Sequence, residues 1–279
     1  MNKTDIINYL KLNNIKPSKS KGQNFLIEPA VVFDIIKLSN IQTKVPTIIE
    51  IGPGIGAMTE HLNELTDNLI LIEIEDQLAK NLKFKFPNAT IINQDVREVD
   101  FSQFGKDLIV FGNLPYSFSS DIIFHFVNYK EYISSAILML QKEFVNRLKA
   151  EPNSKAYSIL SINLQVHSKV IDGEIVPPEC FYPKPKVFSK LVKLDFYNES
   201  PYKIDNNKAF KKVLTASFKN RRKKLLNSLK SSNLFDNDKL LEIFKDLNFS
   251  DNIRAENLQV EEFVQLCKKV LDYNAFLEV

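Results

Sequence analysis

From Thr47 to about Phe196, short apolar runs rich in β-formers alternate with longer amphipathic stretches. That alternation is the signature of βαβ units stacked into a mostly parallel sheet with helices on both faces. Strands are expected over 47–51, 69–74, 90–93, 108–112, 135–140, 165–171 and 190–196, with helices near 58–65, 77–85, 120–128, 142–150 and 159–166. The segment Asn198–Asn206 (NESPYKIDN) is polar, contains a proline and leads into a purely helical remainder, so the domain boundary belongs there. With 279 residues, 44% of them apolar, the chain is long enough for about two cores. The expectation is an α/β, doubly wound domain over 1–198, including a basic arm over 1–26, and a small helical domain over 199–279.

Charge is unevenly spread. Residues 11–21 carry four Lys and no acid, and residues 208–230 carry nine Lys or Arg and no acid. These thirteen charges sit in a chain of net charge +3, so the remainder carries −10. Like charges packed this densely repel one another unless a polyanion is near, which points to nucleic acid. In the second segment Phe210, Val213, Leu214, Phe218, Leu225, Leu226 and Leu229 recur at helical intervals, so one basic helix with an apolar back is expected.

Two cysteines, Cys180 and Cys267, lie far apart and outside any C-x-x-C pair, which excludes a disulfide framework and a zinc ribbon and fits a cytoplasmic setting. His61, His125 and His167 are isolated, so no metal is expected. No apolar run approaches the ~20 residues of a bilayer span, and neither signal peptide nor membrane partner is expected.

The run from Thr47 to Gly56 (TIIEIGPGIG) is a buried strand entering a glycine-rich turn, which lets a nucleoside ligand approach the backbone at Gly52 and Gly54. Glu73, 21 residues after Gly52, ends the next strand, where a carboxylate accepts from ribose hydroxyls. Gly52, Gly54 and Ala57 also fit G-x-G-x-x-A, which keeps a nicotinamide dinucleotide as a rival. Against it stands Glu50, which repels a pyrophosphate but suits the ammonium of an amino-acid moiety such as that of S-adenosylmethionine. Asp95, after the third strand, is placed to accept from an adenine amino group.

The strongest local signal is Phe111-Gly112-Asn113-Leu114-Pro115-Tyr116 after the fourth strand. An adenine 6-amino group is a poor nucleophile because its lone pair is delocalised into the ring, so an enzyme must orient it. The Asn113 side-chain oxygen and the Leu114 carbonyl can accept its two protons, Pro115 stiffens the loop, and Tyr116 stacks on the base. In the proline-rich run 177–187, Phe181 is expected to stack on the other face of an extruded base, with Lys184 and Lys186 near phosphate. Cys180 suggests pyrimidine C5 methylation as an alternative, but no acid or histidine constellation flanks it.

With these residues assembled, the chain resembles the bacterial small-subunit ribosomal RNA adenine dimethyltransferases, relatives of the macrolide-resistance rRNA methyltransferases. The resemblance covers nearly the whole chain: Lys21 to Leu26 (KGQNFL), Glu50 to Gly56, Glu73, Asp95, Asn113 to Tyr116, Leu140 to Glu143, Asn153 to Tyr157, the proline run, and Phe218 to Lys224 (FKNRRKK). It implies a Rossmann-like methyltransferase fold binding S-adenosylmethionine. Gln23, Asn24 and Leu26 would lie at the methionine end, Gly52 in the glycine loop, Glu73 at the ribose, Asp95 at the adenine and Asn113 at both cofactor and target. It further implies a monomer dimethylating two neighbouring adenosines near the 3′ end of 16S rRNA on an immature small subunit, with Arg221, Arg222, Lys223 and Lys224 on the RNA. Ser117 and Ser158 depart from the Asn and Gly usual in that family. A 23S-directed resistance enzyme and an assembly checkpoint factor remain as alternatives.

Overall fold

The computed structural model describes residues 3–12, 15, 17 and 23–277. In chain order its elements are α1 (Lys3–Leu12), β1 (Phe25–Leu26), α2 (Pro29–Ser39), β2 (Ile48–Ile51), α3 (Thr59–Leu62), β3 (Leu69–Ile72), α4 (Asp76–Lys85), β4 (Thr90–Ile92), β5 (Leu108–Asn113) and α5 (Ser119–Asn128). There follow β6 (Ile133–Gln141), α6 (Lys142–Leu148), α7 (Ile159–His167), β7 (Ser168–Val176), β8 (Phe181–Tyr182), β9 (Ser189–Phe196), α8 (Asn207–Phe218), α9 (Leu225–Lys230), α10 (Asn237–Asp246) and α11 (Val260–Asp272).

Seven strands form one sheet in the order β4-β3-β2-β5-β6-β9-β7. The five from β4 to β6 run parallel, and β9 is antiparallel to both β6 and β7. Strands β2 and β3 (IIEI and LILI) are buried along their whole length, as a parallel sheet covered on both faces requires. The chain leaves β2 toward β3 and β4, then returns to place β5 on the other side of β2. This reversal opens a crevice beyond the carboxyl ends of β2 and β5, where open α/β sheets bind ligands.

A separate two-stranded ribbon pairs β1 with β8, setting Leu26 opposite Phe181. Beside it, Ile6 and Leu10 of α1 are buried with Phe25, Ile55 and Leu78, so Phe25 is held by both the ribbon and α1. The residues of the basic arm between 13 and 22, apart from Ile15 and Pro17, lie outside the described residues, Lys21 and Gly22 among them.

The chain divides into two compact units, 1–145 with 168–198, and 146–167 with 199–279. Residues 146–167, expected in the first domain with the rest of 1–198, belong to the helical unit instead. Tyr157, Ile162 and Val166 are buried in one core with Phe210, Leu225 and Phe263, and the Tyr157 hydroxyl donates to the Leu258 carbonyl at 2.9 Å. Helix α7 accordingly runs to His167, and the strand expected from 165 begins at Ser168.

The single basic helix is also corrected. It is two helices, α8 and α9, joined by a turn over 219–224 that carries Arg221, Arg222, Lys223 and Lys224. Ser228 Oγ donates to the Ala216 carbonyl at 2.8 Å and accepts the Asn220 N–H at 3.1 Å, and the Leu225 N–H goes to the Ile253 carbonyl at 2.8 Å. These bonds draw the chain out of helical register, while the apolar spacing on each side survives. Among the described residues no helix is long and apolar enough to cross a membrane.

Candidate active site

The crevice beyond β2 and β5 is a cleft open to solvent on one side. Its polar lining comes from Gln23, Asn24, Glu50, Glu73 and Asn113, and its backbone wall from Gly52 and Gly54. Each reaches it for a local reason. Gly52, Gly54 and Gly56 have φ of 63°, 59° and 80°, left-handed values that the turn from β2 into α3 demands and that favour glycine. A Cβ at Gly52 would meet only the Asn113 carbonyl, at 3.8 Å, so this backbone faces open space, whereas one at Gly54 would press on the Phe25 ring at 3.1 Å.

Glu50 is 1% exposed and its Oε2 accepts from the Thr59 hydroxyl at 2.6 Å. Burial pushes its carboxyl up to about 8, against the lowering effect of Thr59 and helped by the neighbouring charge of Glu73. A carboxyl held this way ionises readily only when a cation arrives, which is what the ammonium of an amino-acid moiety supplies. Glu73, 4% exposed, is fixed by backbone donors: Gly54 N–H to Oε2 at 3.1 Å and Glu75 N–H to Oε1 at 3.0 Å. The open backbone at Gly52 and these two acids fit S-adenosylmethionine, and fit poorly a pyrophosphate.

Asn113 donates its side-chain N–H to the Asn24 carbonyl at 2.9 Å. This joins the segment before α2 to the end of β5 and assigns the amide oxygen to the acceptor role. Pro115 and Leu26 also line the cleft. Leu114 is 1% exposed with its N–H bonded to the Met139 carbonyl at 3.2 Å, and the Tyr116 hydroxyl bonds Ser189 Oγ at 2.8 Å.

Two expected residues stand elsewhere. Phe181 is 2% exposed, buried with Leu26, Val31 and Val176, and does not line the cleft, so the ring expected to stack on a base is instead the core of the β1–β8 ribbon. Asp95 is outside the cleft lining: it caps the 3₁₀ turn Val96–Glu98 and is held by Arg97, whose hydrogen bonds, and then its charge, keep the carboxyl below the usual range.

The cations divide as well. Arg221 Nε donates to Glu256 Oε2 at 3.0 Å and its Nη2 to the Ser154 carbonyl at 3.1 Å, so it is a brace inside the helical unit. Arg222, Lys223 and Lys224 are exposed. Lys186 is exposed too, and Lys184 pairs with Glu179. The Cys180 thiol is pushed up by burial and by Glu28 and Glu179, the reverse of an activated nucleophile. Among the described residues no three His, Cys, Asp or Glu side chains gather as a metal site.

Sequence reasoning missed the apolar walls, Ile55, Met58, Ile74, Leu78 and Met139. Ile74 is half exposed, one residue beyond the acid that follows β3, and has no core to serve.

The family model described as ribosomal RNA adenine dimethylase matches residues 14–272. The ribosomal RNA small subunit methyltransferase A of Syntrophus aciditrophicus is 36% identical over 94% of this chain and 96% of its own length. That of Klebsiella pneumoniae is 40% identical over 89% of this chain and 91% of its own. Among solved structures, a dimethyladenosine transferase from Plasmodium falciparum superposes with a TM-score of 0.78 at 26% identity, covering 90% of this chain and 99% of that one. The 23S rRNA methyltransferase ErmE shares the fold, with a TM-score of 0.66 at 19% identity over 88% of this chain and 99% of its own. A Rossmann-like sheet, a cleft at its topological switch point and these relatives agree: the chain belongs to the ribosomal RNA adenine dimethylase family and is a methyltransferase.

Proposed function

We propose that the chain moves methyl groups from S-adenosylmethionine to the 6-amino groups of two adjacent adenosines near the 3′ end of 16S rRNA, on an immature small subunit in the cytoplasm, and that it does so as a monomer. The observation that carries this reading is Asn113, which lines the same cleft as Glu50, Gly52 and Glu73 and is oriented by the Asn24 carbonyl.

Bound in this cleft, S-adenosylmethionine supplies an electrophilic methyl group on a sulfonium. Glu50 would hold the ammonium of its methionine end beside Gln23, Asn24 and Leu26, Gly52 and Gly54 would admit it close to the backbone, Glu73 would accept from the ribose, and Asp95, in the turn after β4 outside the cleft lining, would accept from an adenine that extends beyond that lining. On the target, Asn113 Oδ1 and the Leu114 carbonyl each accept one amino proton and draw the nitrogen toward tetrahedral geometry. Pro115 offers no competing donor, and Tyr116 stacks on the base. The nitrogen becomes acidic as it is methylated and loses a proton to water, so positioning and fixed dipoles carry the reaction without a strong base. Arg222, Lys223, Lys224, Lys184 and Lys186 engage phosphate, and the unit 199–279 with 146–167 serves RNA docking.

The test is transfer of radiolabelled methyl to immature small subunits lacking the modification, with large subunits and naked rRNA in parallel, followed by nucleoside analysis. Dimethyladenosine from small subunits alone is the expected result. Label in large-subunit RNA instead would assign the chain to the resistance branch, and cofactor binding without label would favour the assembly-factor reading.

A further inference from the structure

The turn after β4 folds Arg97 back onto Asp95. Asp95 Oδ1 accepts from the Arg97 backbone N–H at 2.9 Å and from Nε at 3.0 Å, while Oδ2 accepts from Nη2 at 2.6 Å and from Nε at 3.2 Å. The same guanidinium lies 4.4 Å from the centroid of the Phe118 ring and 3.8 Å from Asp121 Oδ2. Phe118 closes the loop that begins at Asn113, with its N–H on the Pro115 carbonyl at 3.2 Å. One side chain therefore spans the turn after β4 and the turn after β5.

An ion pair with the Arg97 side chain 36% exposed contributes little stability. What a planar guanidinium does well is fix the plane of a carboxylate through two parallel N–H groups. A carboxylate offers about four acceptor sites. Three Arg97 N–H groups make these four contacts, Nε being shared between the two oxygens, so three donors face about four sites and one further donor can be taken.

We propose that Arg97 is a positioning residue for cofactor recognition: it sets the plane of Asp95 so that the remaining acceptor site meets the adenine 6-amino group, and it ties that acceptor to the Asn113 loop through Phe118. This rests on the reading of Asp95 as the adenine acceptor. Substituting Arg97 then costs discrimination at the 6-position of the base, because a free carboxylate turns and hydrates.

The experiment compares S-adenosylhomocysteine with S-inosylhomocysteine, in which a 6-oxo acceptor replaces the amino donor, by calorimetric titration of the full chain. The wild-type chain is expected to prefer the adenosyl ligand about tenfold or more, as for a hydrogen bond to a charged group. Arg97→Leu is expected to narrow that preference to about twofold, and Arg97→Lys, which restores the charge and one donor, to recover part of it. The preference is a ratio, so a general loosening of the fold, which weakens both ligands alike, does not move it. Should Arg97→Leu fold poorly, the Arg97→Lys ratio gives the same answer. An unchanged ratio in Arg97→Leu overturns the proposal, and tighter adenosyl binding in that variant overturns it in favour of Arg97 as a competitor. A wild-type chain that binds both ligands equally removes Asp95 as the acceptor and the proposal with it; one that binds neither removes the cofactor reading itself.

Discussion

On one side of the cleft, Gly52, Gly54, Glu50 and Glu73 line an open wall whose backbone and carboxylates are already in place. In the loop that follows Asn113, Leu114 is 1% exposed and Tyr116 is bonded to Ser189. The first half consists of features a fold must set when it forms, left-handed glycines and buried acids. The second consists of side chains in packed or bonded positions, which on the proposed function a target base has to engage or displace. On the function proposed above, this difference would divide affinity from turnover: cofactor binding would call on little rearrangement, while the energy of RNA binding would be available to reorder the loop around Asn113.

Asn113 sits where the two halves meet, so its loss is the sharpest test of that division. Asn113→Ala is expected to lower turnover about 100- to 1,000-fold, in the range for removing a preorganised polar group at a reacting centre, while cofactor affinity changes only about threefold. Single-turnover methyl transfer and calorimetry measure the two separately. Near-normal turnover would take Asn113 out of the mechanism and leave the halves undivided.

Glu50 tests the preformed half. Its carboxyl is raised from 4.5 to about 8 in the folded chain, so between those values the folded state holds a proton that the unfolded state lacks. Stability therefore falls as pH rises through this window, by an amount on the order of a few kcal/mol. Glu50→Gln is expected to abolish that slope in denaturant unfolding and to raise stability at pH 8. The same variant should weaken S-adenosylhomocysteine about 10- to 100-fold and remove the proton release that accompanies its binding. A stabilised variant with unaltered affinity would show that Glu50 does not hold the ammonium.

The glycines sharpen the same half. Gly54→Ala meets both a positive φ and the Phe25 ring, so it should cost about 2 kcal/mol of stability. Gly52→Ala meets the positive φ alone, at about 1 kcal/mol. Its methyl nevertheless points into cofactor space, so Gly52→Ala should weaken the cofactor more than Gly54→Ala does. Thermal unfolding and titration of both variants check the crossed ranking.

How far the sequence foretold this arrangement depends on the kind of signal. Parallel strands buried on both faces, such as β2 and β3, announce themselves as apolar runs, and an acid inside one, as at Glu50, stands out because the core has no other use for it. The glycine turn and the Asn113 loop are contiguous motifs and were legible too. What failed was non-local. Phe181 looks like a stacking residue in a proline loop until β8 pairs with β1, some 155 residues earlier, and buries it. The break between α8 and α9 keeps the apolar periodicity on both sides, so nothing in the spacing betrays the Ser228 and Ile253 contacts that impose it. Residues 146–167 read as part of an alternating α/β pattern, yet Tyr157 finds its core among helices that start 50 residues later.

The cationic turn carries the smallest expected effects and separates a brace from a contact within one four-residue run. Arg221 is bonded to Glu256 and to the Ser154 carbonyl, whereas Arg222, Lys223 and Lys224 are exposed. Replacing the last three with Ala should leave thermal stability within about 0.5 kcal/mol, as for surface positions, and weaken RNA several-fold. It should also flatten the dependence of log affinity on log salt by about 2, at roughly 0.7 per phosphate contact on a single strand. Arg221→Ala should do the opposite, lowering stability by about 1 kcal/mol with little change in salt slope. If Arg221→Ala flattens the slope as much as one of its neighbours does, its pairing with Glu256 yields to phosphate, and all four cations belong to the RNA surface.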